Sequence, residues 1–301
     1  SAYNLQNKCT VVKQSDVYAD KACAFDTESN AMLVDHLYKG FFNYENAVDV
    51  SSFRIPSTTD NINGVAMMIY DEMPLAFFVD RVSVWYLGGY ITKIQPVYLY
   101  QQSTALEMVA QYKYEAERLV ADIKGNSAVS DLEKALLLHD RIAVMCEFDL
   151  GNETGAVGNE AFNGYGVFVK RTAVCHGYSE AYDYLLELVG IKSMLCRSQA
   201  LNHTWNIITI NGEKYHVDIT WDDSIWGATR WDVIGRIDHK HFMVSSSKLY
   251  ESHAATDYDT SPTDTTYDSY YWHDSQSAFQ LVDNKLYYID QKNANLVCKT
   301  D

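Results

Sequence analysis

Apolar side chains recur every three or four residues in four stretches of the chain, which predicts four helices. These stretches are residues 31–42, 103–123, 130–146 and 174–189. The third has the clearest start, because Ser130 and Glu133 form a capping-box pair. The fourth stops at Gly190, a residue type that commonly follows the last helical turn.

Alternating β-branched and aromatic residues predict strands elsewhere. Between residues 62 and 100, two such runs flank Gly88-Gly89, which indicates a hairpin or a longer turn. Residues 204–220 fold back at Asn211-Gly212, the strongest two-residue hairpin signal. Three short runs near the end of the chain predict a small meander: residues 279–282, 286–289 and 296–298. A meander of this size is marginal alone, so it either packs on the main body or begins a longer repeat array.

The same patterns divide the chain into four parts. We expect an N-terminal α/β extension over residues 1–125 and an α+β core over residues 126–250. Residues 251–269 are rich in Ser, Thr, Asp and Ala without a hydrophobic period, which indicates a linker or a long excursion. The β-meander, which could be a truncated repeat module, follows over residues 270–301.

Charge and composition exclude several classes of function. The 301 residues include 24 basic and 40 acidic side chains, for a net charge of −16 and a pI near 4.9. Recognition of phosphate needs clustered Lys and Arg, so nucleic acid and anionic membrane surfaces are poor partners. No apolar run approaches the ~20 residues of a membrane span, and no transmembrane segment is expected.

The N-terminal residues Ser1-Ala2-Tyr3 lack the basic and apolar character of a signal peptide, and we expect a mature or trimmed form. Six cysteines in a chain of this length do not make a disulfide framework. Cys9 and Cys23 could pair in an exported protein, or they could be two unrelated thiols.

Cys175 lies in the first turn of the fourth predicted helix. Unpaired backbone N–H groups and the positive end of the helix dipole favour a thiolate there, and the thiolate is the nucleophilic form. Gly177 has no side chain, so the surface beside the thiol would stay low and uncrowded. The alternative is a buried apolar cysteine, which is the commoner role for this residue type.

The predicted hairpin brings a base and an acid together. With a two-residue loop at Asn211-Gly212, Ile210 lies opposite Glu213. That register gives one face four residues: His203, Trp205, Asp218 and Thr220. His203 and Asp218 are then diagonal neighbours about 7–8 Å apart, within side-chain reach. The opposite face is apolar, so the hairpin is expected to be buried on both sides.

Three motifs of the chain resemble those of the bacterial transglutaminase-like superfamily. They are Val174-Cys175-His176-Gly177-Tyr178-Ser179, His203-Thr204-Trp205-Asn206, and Tyr215-His216-Val217-Asp218-Ile219-Thr220-Trp221-Asp222-Asp223. The resemblance covers residues 60–245 and is strongest over residues 171–223. It implies a papain-like core, in which a nucleophile helix packs on an antiparallel sheet.

The resemblance also implies roles for particular residues. Cys175 would be the nucleophile, His203 the base, and Asp218 the group that orients the imidazole. The Cys175 N–H and Tyr165, which matches an upstream family tyrosine, would stabilise the oxyanion. Trp205, Trp221 and His176 are expected around the triad; His176 departs from the family, which often has an acidic residue there.

The resulting hypothesis is a cysteine-dependent acyl-transfer enzyme that acts on peptide or protein amides through a thioester. Hydrolysis is favoured over crosslinking, because the sequence lacks the spaced acidic residues of a calcium loop. No cofactor or metal is expected. The family resemblance and acidic balance favour a secreted or cell-surface bacterial protein, with cell-wall or surface glycan or peptide as further partners.

Two alternatives stay open. His239 and His241, with His203, His216 and Asp218, offer zinc ligands, although no established zinc spacing is present. The chain could instead be a non-catalytic module that binds peptide or glycan on a transglutaminase-like fold. The aromatic residues for that role would be Tyr270-Tyr271-Trp272 and Tyr287-Tyr288.

Overall fold

A computed structural model of the chain describes residues 8–13, 27–150, 159–226, 231–290 and 295–299. The possible partner of Cys9, Cys23, lies outside these residues. Contacts between Cα atoms divide the chain into two compact units, Ser1–Ala110 and Gln111–Asp301. The domain boundaries that the sequence suggests at residues 125, 250 and 269 stay predictions.

The first unit is a four-stranded sheet with helices. Its elements are β1 (Lys8–Lys13), α1 (Thr27–Phe42), β2 (Val48–Asp49), α2 (Thr59–Asp71), β3 (Val79–Leu87), β4 (Tyr90–Tyr98) and the start of α3 (Gln102–Val120). The strands lie in the order β1-β3-β4-β2, and all neighbours are antiparallel. Buried side chains of α1, α2 and the sheet form one hydrophobic cluster.

The hairpin predicted at Gly88-Gly89 is confirmed. These glycines join β3 to β4 with φ of 61° and 85°, the left-handed conformations that a tight hairpin needs. Helix α2, in contrast, occupies residues that the sequence assigns to a β-like region. Its run from Val65 to Tyr70 is apolar on nearly every side, so it shows no helical period, and the Thr58 side chain caps its start.

The second unit has an α+β organisation. Its helices are the end of α3, α4 (Asp131–Met145), α5 (Cys175–Leu188), α6 (Ile219–Asp222) and α7 (Ser246–Leu249). Its first strands are β5 (Glu147–Phe148), β6 (Thr172–Ala173), β7 (Ser193–Ser198), β8 (His203–Ile210) and β9 (Glu213–Val217). They are followed by β10 (Asp223–Trp226), β11 (Trp231–Ile237), β12 (Phe242–Val244), β13 (Gln280–Val282), β14 (Lys285–Asp290) and β15 (Asn295–Lys299).

The central sheet of this unit has the order β12-β9-β8-β7, and α5 packs on β7 and β8. The predicted register of the hairpin is confirmed, because Ile210 pairs with Glu213 and Asn206 with Val217. Asn211 and Gly212 form the turn with φ of 53° and 88°. Seven of the eight β8 residues are buried, as expected for a strand between two neighbours.

The second strand of the hairpin ends earlier than the sequence suggests. β9 stops at Val217, and Asp218 becomes the N-cap of α6, accepting a hydrogen bond from the Trp221 backbone N–H. Thr220 therefore lies in a helical turn and does not pair with His203. An aspartate side chain competes well for helix-start N–H groups, which explains why the strand gives way at this residue.

Residues 251–269 contain no helix or strand, yet His253 and Tyr258 within them are buried against Trp205. The predicted three-stranded meander is confirmed in the order β13-β14-β15. Among the described residues, no helix is both long and apolar enough to span a bilayer.

Candidate functional site

Cys175 is the first residue of α5 and is half-buried. The N-cap residue, Val174, has extended backbone angles and offers no side-chain cap. The N–H groups of the first helical turn have no partners within a helix, and the helix dipole adds positive potential at this end. The local structure therefore favours negative charge at the Cys175 sulfur.

The contacts of Ser179 and Asn206 hold the start of α5 against β8. The Ser179 hydroxyl lies 2.8 Å from the Cys175 carbonyl oxygen and 3.0 Å from that of Thr204. The Asn206 side chain donates to the Ser179 carbonyl at 2.9 Å. Because Ser179, Thr204 and Asn206 are buried, these hydrogen bonds fix the distance between the helix and the strand. Both residues stand within the sequence motifs, but their spacing alone indicates no role for them.

His203 lies where β8 begins, and Asp218 lies where β9 has ended, so the two residues meet at the open end of the hairpin. His203 Nε2 donates to Asp218 Oδ2 at 2.6 Å. Since Nε2 is held by the carboxylate, Nδ1 is the nitrogen left for a hydrogen bond with the Cys175 side chain. The structure thus brings together the three residues that the sequence identifies as a candidate triad.

Burial alone would lower the pKa of His203, but the charge and hydrogen bond of Asp218, and then Cys175, outweigh it. The pKa of His203 rises from 6.5 to about 10. Burial would likewise raise the pKa of Asp218, but His203 and His253 hold it well below its usual range. The imidazole is therefore a cation at neutral pH, paired with the Asp218 carboxylate.

Gly177 has a different function from the one suggested by the sequence. A Cβ at this position would lie 2.6 Å from the Ala161 carbonyl oxygen and 2.9 Å from Ala173 Cβ. The glycine therefore lets the first turn of α5 pack closely on the preceding segments; it does not lower the surface beside the thiol. This close packing sets the position of the Cys175 backbone.

Trp205 and Trp221 flank the imidazole of His203, as the sequence suggests. The Trp205 ring is 1% exposed, stacks on His203 with centroids 5.6 Å apart, and donates through Nε1 to His216. The Trp221 ring is 45% exposed, with its centroid 6.0 Å from that of His203. One tryptophan thus packs behind the imidazole, and the other shields it from solvent.

Tyr165 and His176 make no recorded contact with the candidate triad. The Tyr165 hydroxyl donates to Gln111 Oε1 at 2.9 Å, so its one proton is directed there. His176 follows Cys175, but its Nε2 lies 3.9 Å from Glu180 Oε2 and is buried with no hydrogen-bond partner among the described residues. Burial, together with the charge of Arg197, lowers the pKa of His176 to about 3, so the ring is neutral.

Two other cysteines of this unit have no comparable setting. Cys146 and Cys196 are buried, and burial raises the pKa of each thiol to about 12. Cys9, in β1, is an exposed free thiol. Among these described cysteines, Cys175 is the one that combines partial exposure, a helix start and an imidazole.

His253 contacts the triad, although no sequence pattern singles it out. Its Nε2 donates to Asp218 Oδ2 at 2.8 Å, the same oxygen that accepts from His203. It stands within the segment that the sequence describes as a linker or excursion, where an isolated histidine between polar residues carries no periodic signal. Only the packing of residues 251–269 on the sheet brings it to the site.

A second group of buried histidines and acids lies in the same unit. Asp140 Oδ1 accepts from His139 at 2.7 Å and from His239 at 2.9 Å, while Asp140 Oδ2 accepts from the Phe279 backbone N–H. All three side chains have at most 1% exposure. Each nitrogen–oxygen distance is that of a hydrogen bond, so the three N–H groups donate directly to the Asp140 carboxylate.

The residues of the zinc alternative do not gather around one point. His239 contacts Asp140, His241 contacts Asp222, and His216 lies between Trp205 and Ser246. Only His203 and Asp218 of that set are hydrogen-bonded to each other.

Four of the five aromatic residues of the binding-module alternative pack on one another or on Phe279: Tyr270, Tyr271, Trp272 and Tyr288. Trp272 is 1% exposed, and its ring centroid lies 4.4 Å from that of Tyr270. Tyr288 stacks on Phe279 with centroids 4.8 Å apart, and Tyr271 contacts both of these rings. These contacts are those of a hydrophobic cluster under the meander.

No protein-family model matches the sequence, and neither does any curated protein. Among solved structures, one described as "Crystal structure of a TGase" is similar over 79% of this chain, with 11% sequence identity and a TM-score of 0.33. The similarity covers 56% of that structure's chain, so the present chain corresponds to just over half of its length. A TM-score this low does not establish a common fold.

Proposed function

We propose that the chain is a cysteine-dependent acyl-transfer enzyme of the transglutaminase-like type, with a papain-like core. The observation that supports the proposal most is the chain of contacts from Cys175 through His203 to Asp218. A nucleophile, a base and an oriented acid in this order are the requirement for covalent catalysis at an amide. The substrate class is a peptide or protein amide.

Each group has a defined task in the first half of the reaction. The Cys175 thiolate attacks the amide carbonyl carbon, and the carbonyl oxygen becomes an oxyanion. His203 then gives its Nδ1 proton to the amide nitrogen, the C–N bond breaks, and a thioester and a free amine result. Asp218 keeps the imidazole in the orientation that points Nδ1 at the sulfur.

The second half releases the acyl group. Water or an amine attacks the thioester carbon while His203 accepts its proton, and the carbon–sulfur bond breaks to restore the Cys175 thiolate. We propose water as the acceptor, since the sequence has no calcium-loop pattern. The family resemblance supports a secreted or cell-surface setting for this reaction.

The oxyanion would be stabilised at the start of α5. The Cys175 backbone N–H stands at the first helical position, where N–H groups have no helical partner and the helix dipole favours a negatively charged ligand. Tyr165 remains a predicted second donor, and it would have to release Gln111 to serve as one.

A peptide-library assay tests the proposal. The purified protein should cleave a subset of peptides, whereas Cys175→Ala should be inactive with an unchanged fold. Cys9→Ala is the matched control, because it removes an exposed thiol outside the site and should retain full activity.

Three other results would contradict parts of the proposal. Incorporation of a primary amine into a glutamine peptide faster than cleavage would make the enzyme a crosslinker. Peptide or glycan binding that is equal in wild type and Cys175→Ala, without turnover, would favour the binding module. Activity that is lost with a chelator and restored by zinc would favour the metal alternative.

A further inference from the structure

Asp222 is a buried acid beside the candidate triad, and the sequence motifs assign no role to it. It ends α6, the single helical turn that has Asp218 as its N-cap and carries Trp221 beside the His203 imidazole. Its side chain is completely buried, so its oxygens need hydrogen-bond partners. Those partners come from two segments that are distant along the chain, α4 and the residue before β12.

Three links join Asp222, Asp218 and His241 in a closed arrangement, which we call the hydrogen-bonded triangle. The Asp222 backbone N–H donates to the Asp218 carbonyl oxygen at 3.2 Å, and the Asp218 backbone N–H donates to the His241 carbonyl oxygen at 3.0 Å. The His241 backbone N–H closes the triangle by donating to the Asp222 carboxylate, at 3.0 Å to Oδ1 and 3.1 Å to Oδ2. Only this last link depends on a side chain, that of Asp222.

Two imidazoles hold the Asp222 carboxylate in place. His241 Nδ1 donates to Oδ1 at 2.9 Å, and His139 Nε2 donates to Oδ2 at 3.2 Å. His139 belongs to α4 and is itself held by Asp140, so the triangle is anchored to a helix of the core. Burial would raise the pKa of Asp222, but His241 and His139 outweigh this effect and hold it below its usual value. The carboxylate is therefore ionised at neutral pH and accepts from all of these donors.

The hydrogen-bonded triangle lies where β9 gives way to α6. Phe242 of β12 pairs with Val217, the last residue of β9. Asp218 comes next and begins α6, so the ladder of the sheet no longer fixes its backbone. The bond to the His241 carbonyl oxygen continues the contact with the segment before β12, and it positions Asp218 only as firmly as His241 is held. The Asp222 carboxylate supplies that hold.

We propose that Asp222 is a positioning residue of the Cys175 site, because its carboxylate fixes the backbone of Asp218. Asp218 in turn orients the His203 imidazole through the 2.6 Å hydrogen bond. The inference rests on the proposed function, since Asp222 acts on the sulfur only through these two residues. Without the carboxylate, the His241 N–H loses its acceptor, α6 shifts, and the hydrogen bond between Asp218 and His203 weakens. A misplacement of about 1 Å is enough to change a rate by about a hundredfold.

Alkylation of Cys175 by iodoacetamide at pH 7, followed by mass spectrometry, tests the inference without a substrate. Asp222→Ala opens the hydrogen-bonded triangle and should slow the reaction about tenfold or more, because Asp218 no longer holds His203 in place. Asp222→Asn is as neutral as the alanine variant, but it keeps a side-chain oxygen that can accept from the His241 N–H. It should therefore recover most of the lost rate, whereas an effect of lost charge alone would be equal in both variants.

Asp140→Ala is the matched control. Asp140 is buried like Asp222 and accepts from the same His139 imidazole, but its other donors are His239 and the Phe279 backbone N–H. Both alanine variants should lower the free energy of unfolding, because each leaves a buried imidazole without a carboxylate. Only Asp222→Ala should slow the alkylation of the thiol, whereas a merely structural role predicts that the two variants behave alike.

A spectroscopic signal of the wild-type and variant proteins separates position from stability. The proton on His203 Nε2 lies in a short, charge-assisted hydrogen bond to Asp218, so ¹⁵N-histidine NMR should show it strongly downfield. The signal should move upfield in Asp222→Ala, because the bond weakens, and it should keep its position in Asp140→Ala.

The outcomes separate this inference from the proposed function. If His203→Gln slows the alkylation of Cys175 but Asp222→Ala slows it no more than Asp140→Ala does, Asp222 has no positioning role and the proposed function stands. An Asp222→Asn variant as slow as Asp222→Ala would likewise overturn the inference. If His203→Gln has no effect, both fall.

Hydrogen exchange of the wild-type protein decides the case if an alanine variant does not fold. The His241 backbone N–H lies in a turn before β12, yet it should exchange as slowly as the N–H groups between β8 and β9, since the Asp222 carboxylate holds it. Exchange as fast as that of exposed loop N–H groups would overturn the inference.

Discussion

Two buried carboxylates of the second unit are built alike. Asp218 Oδ2 lies between His203 and His253, and Asp140 Oδ1 lies between His139 and His239. In both places the histidines outweigh the effect of burial and lower the pKa of the carboxyl, to about 2 for Asp140 and further for Asp218. The residue types and distances are nearly the same.

The surroundings differ. His203 is slightly exposed, and its second ring nitrogen faces the Cys175 side chain. His139 and His239 are fully buried; the second ring nitrogen of His139 contacts the Asp222 carboxylate, and that of His239 contacts the Ser275 carbonyl oxygen. A histidine between two carboxylates is stabilised as a cation and has no nucleophile beside it with which to exchange a proton. A histidine between a carboxylate and a thiol can exchange a proton with the sulfur. The neighbour of the imidazole, and not the histidine–aspartate pair, therefore distinguishes the proposed reactive site from the structural group.

The largest expected effect comes from replacing the His203 imidazole of the proposed reactive site. His203→Gln removes the proton carrier, and peptide cleavage should fall at least about a thousandfold in kcat. The measurement is steady-state kinetics on the best library peptide. Cys9→Ala serves as the control, and an activity within tenfold of wild type would show that His203 is not the base.

The next largest effect comes from replacing each of the two carboxylates, and it should distinguish their roles. Asp140→Asn removes the charge that faces two buried imidazoles, and the free energy of unfolding should fall by about 3–5 kcal/mol. Asp218→Asn should also destabilise, but it should lower the rate of Cys175 alkylation at pH 7 by about a hundredfold as well. Urea unfolding and alkylation of both variants provide the comparison.

One outcome of these two measurements would contradict the distinction between Asp140 and Asp218. If Asp140→Asn, measured where it is still folded, slows alkylation as much as Asp218→Asn does, the Asp140 group belongs to the reactive site and the distinction drawn above is wrong.

The sequence predicts the group around Asp218 better than the group around Asp140, for physical reasons. Hairpin register follows from the Asn211-Gly212 turn, so the turn residues alone are enough to place His203 and Asp218 near each other. Asp218 nevertheless ends its strand and caps α6, a competition between strand and cap that periodicity does not reveal. His253 and Asp140 depend on contacts between distant segments, and local pattern carries no information about those.

Helix α2 shows the same limit in the first unit. Its apolar residues face several neighbours at once, so the 3.6-residue period disappears, although Thr58 already marks the helix start. The short loop lengths and turn residues, in contrast, are local signals, and the β3–β4 and β8–β9 hairpins follow from them.

A smaller effect concerns stability against pH. The raised pKa values of His139, about 9, and His203, about 10, stabilise the fold fully below about 6.5, the usual histidine value, and this contribution is lost as pH rises toward 9–10. The lowered pKa values of Asp140 and Asp218 add stability above about 4, which is lost as pH falls through them. The free energy of unfolding should therefore be highest between about pH 4 and 6.5 and should fall as the pH rises toward 10.

Urea unfolding at a series of pH values measures this window. Asp140→Asn should flatten the alkaline side, because the Asp140 carboxylate contributes to the raised pKa of His139. A wild-type curve that rises steadily from pH 6 to pH 10 would contradict the charge states assigned to both groups.

The smallest effect concerns the packing that positions the nucleophile. In Gly177→Ala the new methyl group meets the Ala161 carbonyl oxygen, so the first turn of α5 must shift, at a cost of about 1–2 kcal/mol in unfolding free energy. Because that turn carries Cys175, peptide cleavage should fall by about tenfold or more. Glu187→Ala, at an exposed position of α5, is the control and should change stability by less than about 0.5 kcal/mol. Unchanged stability and activity in Gly177→Ala would show that this contact does not fix the helix.

The central claim is that the neighbouring His203 imidazole makes Cys175 a reactive nucleophile. The most direct measurement is the rate of iodoacetamide alkylation at pH 6 for Cys175 and Cys9 in the same sample, since Cys9 is an exposed thiol without such a neighbour. Cys175 should react at least about tenfold faster, despite its lower exposure, and His203→Gln should abolish the difference. Equal rates in the wild-type protein, or a fast Cys175 that is indifferent to His203, would contradict the account.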